Sequence, residues 1–167
     1  MTFSLAIQYA TDDSALPSRA QVRRWVKSAC EFAAEVLAQE HIQLQLTIRY
    51  VDQREGRELN RQFRHKDYAT NVLTFAESSE PPAQPKSRSK QPHRERSVIA
   101  DIAICASVVA KEAKAQKKLA LAHHAHMVIH GTLHALGFDH ENEADALHME
   151  TLETQVLHRF RIKNPYA

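Results

Sequence analysis

Apolar and polar residues alternate along some stretches of the chain and recur at helical spacing along others. Residues 42–51, IQLQLTIRYV, alternate for almost their full length, which predicts a half-buried strand. Shorter apolar runs predict three further strands, at 3–9, 71–75 and 97–105. Apolar positions spaced as on one helical face predict helices at 18–40, 52–64, 106–118, 119–136 and 142–160. Strands interspersed with helices predict an α+β fold (α/β-like), with a mixed sheet of about four strands packed against about five to six helices.

Local signals mark where some of these elements begin and end. Gly137 follows the helix at 119–136, and glycine tolerates the left-handed conformation that stops a helix. Asn142 is a suitable N-cap for the last helix. Residues 76–96 are rich in proline, serine and charge, and they carry too little apolar surface to order themselves. We therefore expect one domain over residues 1–167, with a flexible loop at 76–96.

Composition narrows the class of protein. The chain has 167 residues, is 43% hydrophobic and carries a formal net charge of +2, which is typical of a soluble domain and too mild to indicate nucleic-acid binding. Its two cysteines, Cys30 and Cys105, are far apart and form no C-x-x-C, which favours a reducing cytoplasm. The N-terminus lacks the features of a signal peptide. No apolar run reaches 18 residues, so no membrane span is predicted.

The histidines are unusually concentrated, since six of the 11 lie within residues 123–140. His130 and His134 are four residues apart, so a helix places both imidazoles on one face, close enough to bind one metal ion. Gly137 then lets the chain reverse, so that His140 can return as a third ligand. Three ligands leave a fourth position for water, as in catalytic zinc sites. Zn²⁺ suits such a site, and Ni²⁺, Cu²⁺ and Co²⁺ are also compatible with imidazole ligands.

Nearby residues could support the proposed ligands. His126 lies one turn before His130, and a supporting or packing role is favoured over a fourth ligand, because a closed site would block chemistry. Asp139 could hold a ligand imidazole by a hydrogen bond, or it could simply form a turn. The remaining histidines considered are expected at the surface or at an interface: His123, His124, His148 and His158.

A second group of residues suggests a phosphate-binding surface. Arginines recur at spacings of three and four, which forms one stripe on a helix: Arg54, Arg57, Arg61 and Arg64. The planar guanidinium matches phosphate oxygens, and Lys66 extends the stripe. The alternative is a solvated helix face on which the arginines pair with Glu55 and Glu58.

Arg64 differs from the rest of the stripe because polar residues crowd behind it, between the helix and the next strand. These residues are Lys66, Asp67, Thr70 and Asn71. Such a polar cluster usually lines a site or caps a turn.

Three motifs, taken in order, resemble the YbeY family of bacterial rRNA-maturation endoribonucleases: LNRQFRHKDYATNVLTF, IADIAIC and HMVIHGTLHALGFDH. The resemblance runs from about residue 45 to 160. It implies a cytoplasmic, zinc-binding endoribonuclease that acts in 16S rRNA maturation and ribosome quality control, with partners among small-subunit ribosomal proteins and an assembly GTPase. It also implies metal ligands at His130, His134 and His140 and a functionally required Arg64. On this reading Arg57, Arg61 and Lys66 are candidate RNA contacts.

Gly131 decides between two uses of the three-histidine pattern. Metalloproteases with this pattern have a glutamate after the first histidine as general base, whereas this chain has Gly131. Glu141 or Glu143 could replace that base, so a zinc metalloprotease is one alternative. A non-catalytic ribosome-assembly factor with a structural metal is another. RNA supplies its own 2′-OH nucleophile, and whether this group or water attacks is left open. Single-stranded RNA is favoured because A-form grooves hide base edges.

Overall fold

The computed structural model describes residues 1–13, 15–37, 40–79 and 94–167, and of Glu40, Ser79 and Arg94 the backbone alone. Four strands are present in these residues: β1 (Thr2–Tyr9), β2 (Glu40–Val51), β3 (Val72–Ser79) and β4 (Arg94–Cys105). Five helices accompany them: α1 (Arg19–Val36), α2 (Gln53–Arg64), α3 (Ala106–Ala115), α4 (Ala120–Ala135) and α5 (Glu143–Arg159).

The strands form one mixed sheet in the order β1-β2-β4-β3. β1, β2 and β4 are parallel, and β3 runs antiparallel to β4. Along β2 the apolar side chains alternate with exposed ones, so that Leu44 and Leu46 are buried while Gln43 and Gln45 face solvent. This is the period of two expected when one sheet face packs on a core. The predicted α+β class, with a mixed sheet of about four strands and about five to six helices, is confirmed.

Helix α4 lies at the centre of the core, where it contacts α1, α3, α5, β3 and β4. Ten of its 16 residues are buried, and a helix that is apolar around most of its circumference is expected to lie inside a domain. Between positions 122 and 134 its partly exposed residues form a single row at four-residue spacing: Ala122, His126, His130 and His134. In the described part of the chain, no helix is both long and apolar enough to cross a membrane.

The loop prediction at 76–96 is wrong at both ends. Residues 76–79 belong to β3, where antiparallel pairs such as Glu77 with Ile99 continue the ladder, and residues 94–96 belong to β4, where they pair in parallel with the start of β2. Backbone hydrogen bonds hold such pairs whatever the hydrophobicity of the side chains, so the polar composition hid the strand ends. The interior of the predicted loop, residues 80–93, lies outside the described residues.

The expectation of surface positions for His123 and His124 is wrong, since they are only 4% and 1% exposed. The histidine-rich helix is buried on most sides, so adjacent positions point into the core. His123 Nε2 lies 2.8 Å from Glu112 Oε2 of α3, and the His124 ring packs edge-on against Tyr50, with centroids 5.6 Å apart. His148 and His158 are exposed, as predicted.

Burial of His124 predicts a loss of stability in mild acid. Burial, and then the neighbouring His123, lowers the pKa of His124 from 6.5 to about 4. Between these two values only the unfolded chain gains a proton, so the free energy of unfolding falls as pH falls from about 6.5 to 4. At about 1.4 kcal/mol per pKa unit the loss is on the order of 3 kcal/mol.

We expect His124→Phe to flatten the pH dependence of urea unfolding across that window, relative to the wild type. Chelator is present in both samples, so that release of metal does not contribute. The exposed His158→Phe is the matched control, and we expect its pH profile to parallel that of the wild type. Parallel profiles for His124→Phe and the wild type would contradict the assignment.

Candidate metal centre and substrate cleft

The exposed row on α4 brings His130 and His134 together. Their ring centroids are 4.5 Å apart, and the His140 ring lies 5.7 Å from the first and 4.9 Å from the second. One ring nitrogen from each histidine lies within 4.8 Å of the others. The structure thus gathers the three predicted ligands at the C-terminal end of α4.

The reversal after α4 brings His140 back to the helix. Gly137 has φ +97°, the left-handed conformation predicted for it, and the amide of Phe138 donates to the Leu133 carbonyl at 3.1 Å. Arg96 of β4 adds a hydrogen bond from Nη2 to the Leu136 carbonyl at 2.6 Å. The arginine thereby satisfies one of the unpaired carbonyls at the helix end and ties it to the sheet.

Glu153 of α5 lies behind the histidines and is fully buried. Its carboxylate accepts hydrogen bonds from His130 Nδ1 at 2.7 Å, from His126 Nε2 at 3.2 Å and from the Tyr166 hydroxyl. Burial raises the pKa of Glu153, but the hydrogen bonds from His126, His130 and Tyr166 outweigh it and bring the pKa to about 2. The ionised carboxylate holds the proton on His130 Nδ1, which leaves the lone pair on Nε2 as the one that could bind a metal.

The two residues predicted to support the ligands have different surroundings. His126 contacts the carboxylate that holds His130, and the two imidazole rings are 6.1 Å apart. Asp139 Oδ1 is 3.9 Å from His134 Nδ1, beyond hydrogen-bond distance, and it accepts from the backbone amide of His140 at 2.7 Å. This geometry favours the turn-forming alternative for Asp139.

The three candidate ligands suit a divalent transition metal. Burial, followed by the neighbouring His130 and His140, lowers the pKa of His134 to about 4. The imidazole is therefore neutral at pH 7, with a lone pair available to a metal. His126, His130 and Glu153 form another group of close donor atoms, but the 2.7 Å contact between the last two is a hydrogen bond that already uses both atoms.

Arg64 and the histidines line the same cleft, of about 420 Å³. The arginine is the last residue of α2, and the segment that follows it is held by buried Asn60, whose Nδ2 donates to the Tyr68 carbonyl at 2.7 Å. The other lining residues come from β3 and from the turn after α4: Val72, Thr74, Ala76, Asp139 and Glu141. Sequence reasoning had placed Arg64 and the histidines in separate groups, and the fold brings them together.

The rest of the arginine stripe does not line this cleft. Arg57 forms a bidentate ion pair with Asp67 at 2.7 and 2.8 Å, and Arg61 pairs with Glu58 at 2.9 and 3.0 Å. All four side chains are exposed. The carboxylates offset much of the charge that phosphate would require, and Lys66 also lies outside the lining of the cleft. RNA contact by Arg57, Arg61 and Lys66 remains a prediction.

The polar residues behind Arg64 include one that joins three elements. Asn71 Nδ2 donates to the Glu112 carboxylate at 3.1 and 3.3 Å, and the same carboxylate contacts His123 Nε2. Asn71 therefore links the start of β3 to α3 and, through Glu112, to α4. The role of Glu112 was missed because its partners lie 41 and 11 residues away in sequence.

Gly131 faces the sheet, where there is no room for a side chain. A Cβ at this position would lie 2.9 Å from Ile102 Cδ1 and 3.2 Å from Thr74 Oγ1. A glutamate at position 131 would thus require α4 to move away from β4. Of the two alternative bases considered, Glu141 lines the cleft, whereas Glu143 lies outside its lining.

The family model and the curated relatives that match this chain carry the same family name. The family model for Endoribonuclease YbeY matches residues 6–161. Proteins named Endoribonuclease YbeY from Cupriavidus metallidurans and Thiobacillus denitrificans are each 44% identical, over 90% and 97% of this chain. The chain spans 65% of the first relative's length and 95% of the second's. A solution structure of TM1509 from Thermotoga maritima is similar at 21% identity and TM-score 0.49, covering 95% of this chain and 92% of that one.

Glu153→Gln tests whether the buried carboxylate orients His130. Glutamine keeps the size but replaces one acceptor by a donor, which cannot satisfy three donating partners. We expect affinity for Zn²⁺ to fall by about 10- to 100-fold, measured by competition with a chromophoric chelator. Glu143→Gln removes an exposed carboxylate of the same helix and serves as control, with unchanged affinity expected. Equal affinity in both variants would contradict the role of Glu153.

Gly131→Ala tests the close approach of α4 to β4. Alanine favours helix by about 1 kcal/mol, but overpacking at this contact costs about 1–3 kcal/mol. We therefore expect net destabilisation in urea unfolding, the opposite of the usual effect at a helical glycine. Adding Ile102→Val removes Cδ1, the atom nearest to the new methyl group. The double variant should therefore lose less unfolding free energy than the sum of the losses in the two single variants. Strict additivity would show that Ile102 is not the constraint.

Proposed function

The chain belongs to the Endoribonuclease YbeY family, and we propose that it is a metal-dependent endoribonuclease specific for single-stranded RNA. In this proposal the active site is the cleft shared by Arg64, His130, His134 and His140. The observation that carries it is the convergence of Arg64 and three imidazoles within one open cleft. Among the described residues, Arg64 has no carboxylate within ion-pair distance.

We propose one Zn²⁺ ion held by His130, His134 and His140, with Ni²⁺ or another divalent transition metal as the alternative. Neutral His134 and the proton fixed on His130 Nδ1 support this assignment. A bound divalent metal supplies Lewis acidity at a phosphate oxygen and lowers the pKa of a bound water.

Arg64 acts on the phosphate in this mechanism. Its planar guanidinium donates to two phosphoryl oxygens at once and stabilises the charge that develops on them as the phosphodiester is cleaved. Arg64 is exposed at the end of α2, so a strand can reach it without rearrangement of the core. Glu153 and, through it, Tyr166 keep His130 oriented while the substrate binds.

A metalloprotease is the less favoured reading, because Gly131 replaces the usual general base and the sheet leaves no space for a longer side chain. Glu141 lines the cleft and is the remaining candidate for the general base of a protease. Cleavage of RNA depends less on such a base, because the 2′-OH is an internal nucleophile; attack by water is the other route. A purely structural metal is the third reading, and it requires that loss of a histidine unfold the protein.

The biological setting follows from family membership. We propose that the substrate lies in 16S rRNA segments during maturation and ribosome quality control in the cytoplasm. Small-subunit ribosomal proteins and an assembly GTPase are the proposed partners.

The proposed function predicts the behaviour of two variants. His134→Ala should lose metal and RNA cleavage while staying folded, and Arg64→Ala should keep its metal and lose about 10²- to 10³-fold in kcat. Bound metal, circular dichroism and cleavage of a single-stranded RNA are measured together, with casein as a peptide substrate. Arg54→Ala is the matched control on the same helix, outside the cleft.

Each competing reading has its own outcome in this experiment. Casein cleavage that depends on His134 would establish the peptidase, and unfolding of His134→Ala would indicate a structural metal. Equal RNA cleavage by all variants would reveal a contaminating nuclease and would leave the endoribonuclease proposal without support.

A further inference from the structure

A second cleft, of about 500 Å³, lies between the end of α3, the start of α4 and the residues that follow α5. Four cationic side chains line it, and no carboxylate side chain is among its described lining residues: Lys117, Lys118, Arg161 and Lys163. We call it the basic cleft. Apolar side chains such as Leu119 and Ile162 line the remainder.

The cations of the basic cleft are available to a ligand. Lys118 Nζ donates to the Pro165 carbonyl at 2.9 Å, whereas the structure gives Lys117, Arg161 and Lys163 no ion pair among the residues it describes. The arginine stripe on α2 differs, since Arg57 forms a bidentate ion pair with Asp67 and Arg61 donates from Nη2 to both carboxylate oxygens of Glu58. Because fewer of its cations are already held in ion pairs, the basic cleft is a stronger anion site than the arginine stripe that the sequence indicated.

Local stability explains only part of this arrangement. Lys117 and Arg161 are each the second residue after the C-terminal end of a helix, α3 and α5 respectively, where positive charge complements the helix dipole. Both have left-handed backbones, with φ +54° and +58°, a conformation that favours glycine. Dipole effects act separately on each helix and do not require the two ends to converge at one cleft.

The basic cleft adjoins the candidate metal centre along the exposed row of α4. His126 lines the basic cleft, and its ring lies 6.1 Å from that of His130. Tyr166 lies between the two sites: its ring is 5.5 Å from His126, its hydroxyl donates to Glu153, and it is 45% exposed. Its chain neighbours, Pro165 and Ala167, line the basic cleft. Cationic grooves with an exposed aromatic ring are typical of single-stranded nucleic-acid sites.

The catalytic cleft holds a polyanion less strongly than the basic cleft. Arg64 shares the catalytic cleft with the carboxylates of Asp139 and Glu141, so its permanently charged side chains sum to −1, and the proposed divalent metal brings the sum to +1. The basic cleft carries four cationic side chains, and His126 in its lining is one helical turn from His130. A strand extending from one cleft to the other would therefore gain most of its electrostatic binding at the basic cleft.

We propose that the basic cleft is a binding site for single-stranded RNA. It holds phosphates of the strand whose scissile bond lies at the three histidines, with a base stacked on Tyr166. This inference rests on the proposed endoribonuclease function for the identity of the strand. It extends that function by naming a site outside the catalytic cleft that distinguishes long substrates from short ones.

Binding of cleavage-resistant 2′-O-methyl RNA to the metal-loaded protein tests the proposal. For an RNA of about twelve nucleotides, Lys117→Gln/Lys163→Gln should bind about ten-fold more weakly. The slope of log K against log salt should fall by roughly 1.4, since each lost phosphate contact on a single strand removes about 0.7. Cleavage of a trinucleotide that reaches the catalytic cleft alone should be unchanged. Lys27→Gln on α1, outside both clefts, is the matched control.

Two variants of Tyr166 distinguish stacking of a base on its ring from the hydrogen bond of its hydroxyl to Glu153. Tyr166→Phe keeps the ring and should bind the long RNA like the wild type, whereas Tyr166→Ala should bind it several-fold more weakly. Circular dichroism and thermal melting check that each variant is folded. If Lys117→Gln/Lys163→Gln unfolds, the single variant Lys163→Gln replaces it and is expected to show half the change in salt slope.

Two results would overturn the proposal: an unchanged salt slope in the double variant, or an equal loss of affinity in Lys27→Gln. If the double variant loses binding to poly-glutamate that the wild type shows, but still binds RNA like the wild type, the basic cleft is a site for an acidic protein segment instead. If the wild type cleaves no RNA but binds it with a slope that depends on Lys117 and Lys163, the endoribonuclease function fails and the basic cleft stands. If the wild type cleaves RNA but the salt slope of RNA binding does not depend on either lysine, the endoribonuclease function stands and the basic cleft proposal fails.

Discussion

The close approach of α4 to the sheet at Gly131 is the constraint on which the site depends. A Cβ there would meet Ile102 at 2.9 Å, so the absence of a side chain lets the helix lie directly on β4. With that face fixed, the helix can rotate little about its axis. From position 122 onwards, the row containing His126, His130 and His134 is consequently the part of α4 that reaches the surface. Packing in the core thus determines where the imidazoles point.

Carboxylates from neighbouring helices satisfy three ring nitrogens of this histidine-rich helix, whereas Nδ1 of His123 and Nδ1 of His124 are buried with no hydrogen-bond partner among the described residues. Glu112 of α3 contacts His123, and Glu153 of α5 accepts from His126 and His130. A buried carboxylate without partners would be strongly destabilising, whereas the hydrogen bonds to Glu153 keep its pKa near 2. The same contacts that offset the cost of burial also fix the tautomer of His130, so stability and ligand orientation have one physical origin.

Sequence reasoning succeeded where the signal was local. Spacing placed His130 and His134 on one face, and Gly137 has the left-handed backbone predicted for it. It failed where partners are distant: nothing around Glu153 indicates that it meets His130, 23 residues earlier. It also failed for His123 and His124, because a pattern that counts every histidine as polar predicts exposure even for a histidine that points into the core. The extension of β3 and β4 was missed because backbone pairing leaves no trace in side-chain hydrophobicity.

The contrast between the two groups of cations has the same origin. A sequence shows charges, whereas binding depends on which charges are already paired. Arg57 and Arg61 stand out by their spacing, yet Asp67 and Glu58 offset them. Lys117 and Lys163 have no periodicity that links them, because a turn after α3 and the segment after α5 bring them to one cleft. A phosphate binds where desolvation breaks no existing ion pair. This favours Lys117 and Lys163, to which the described residues supply no ion pair, over the more regular arginine stripe.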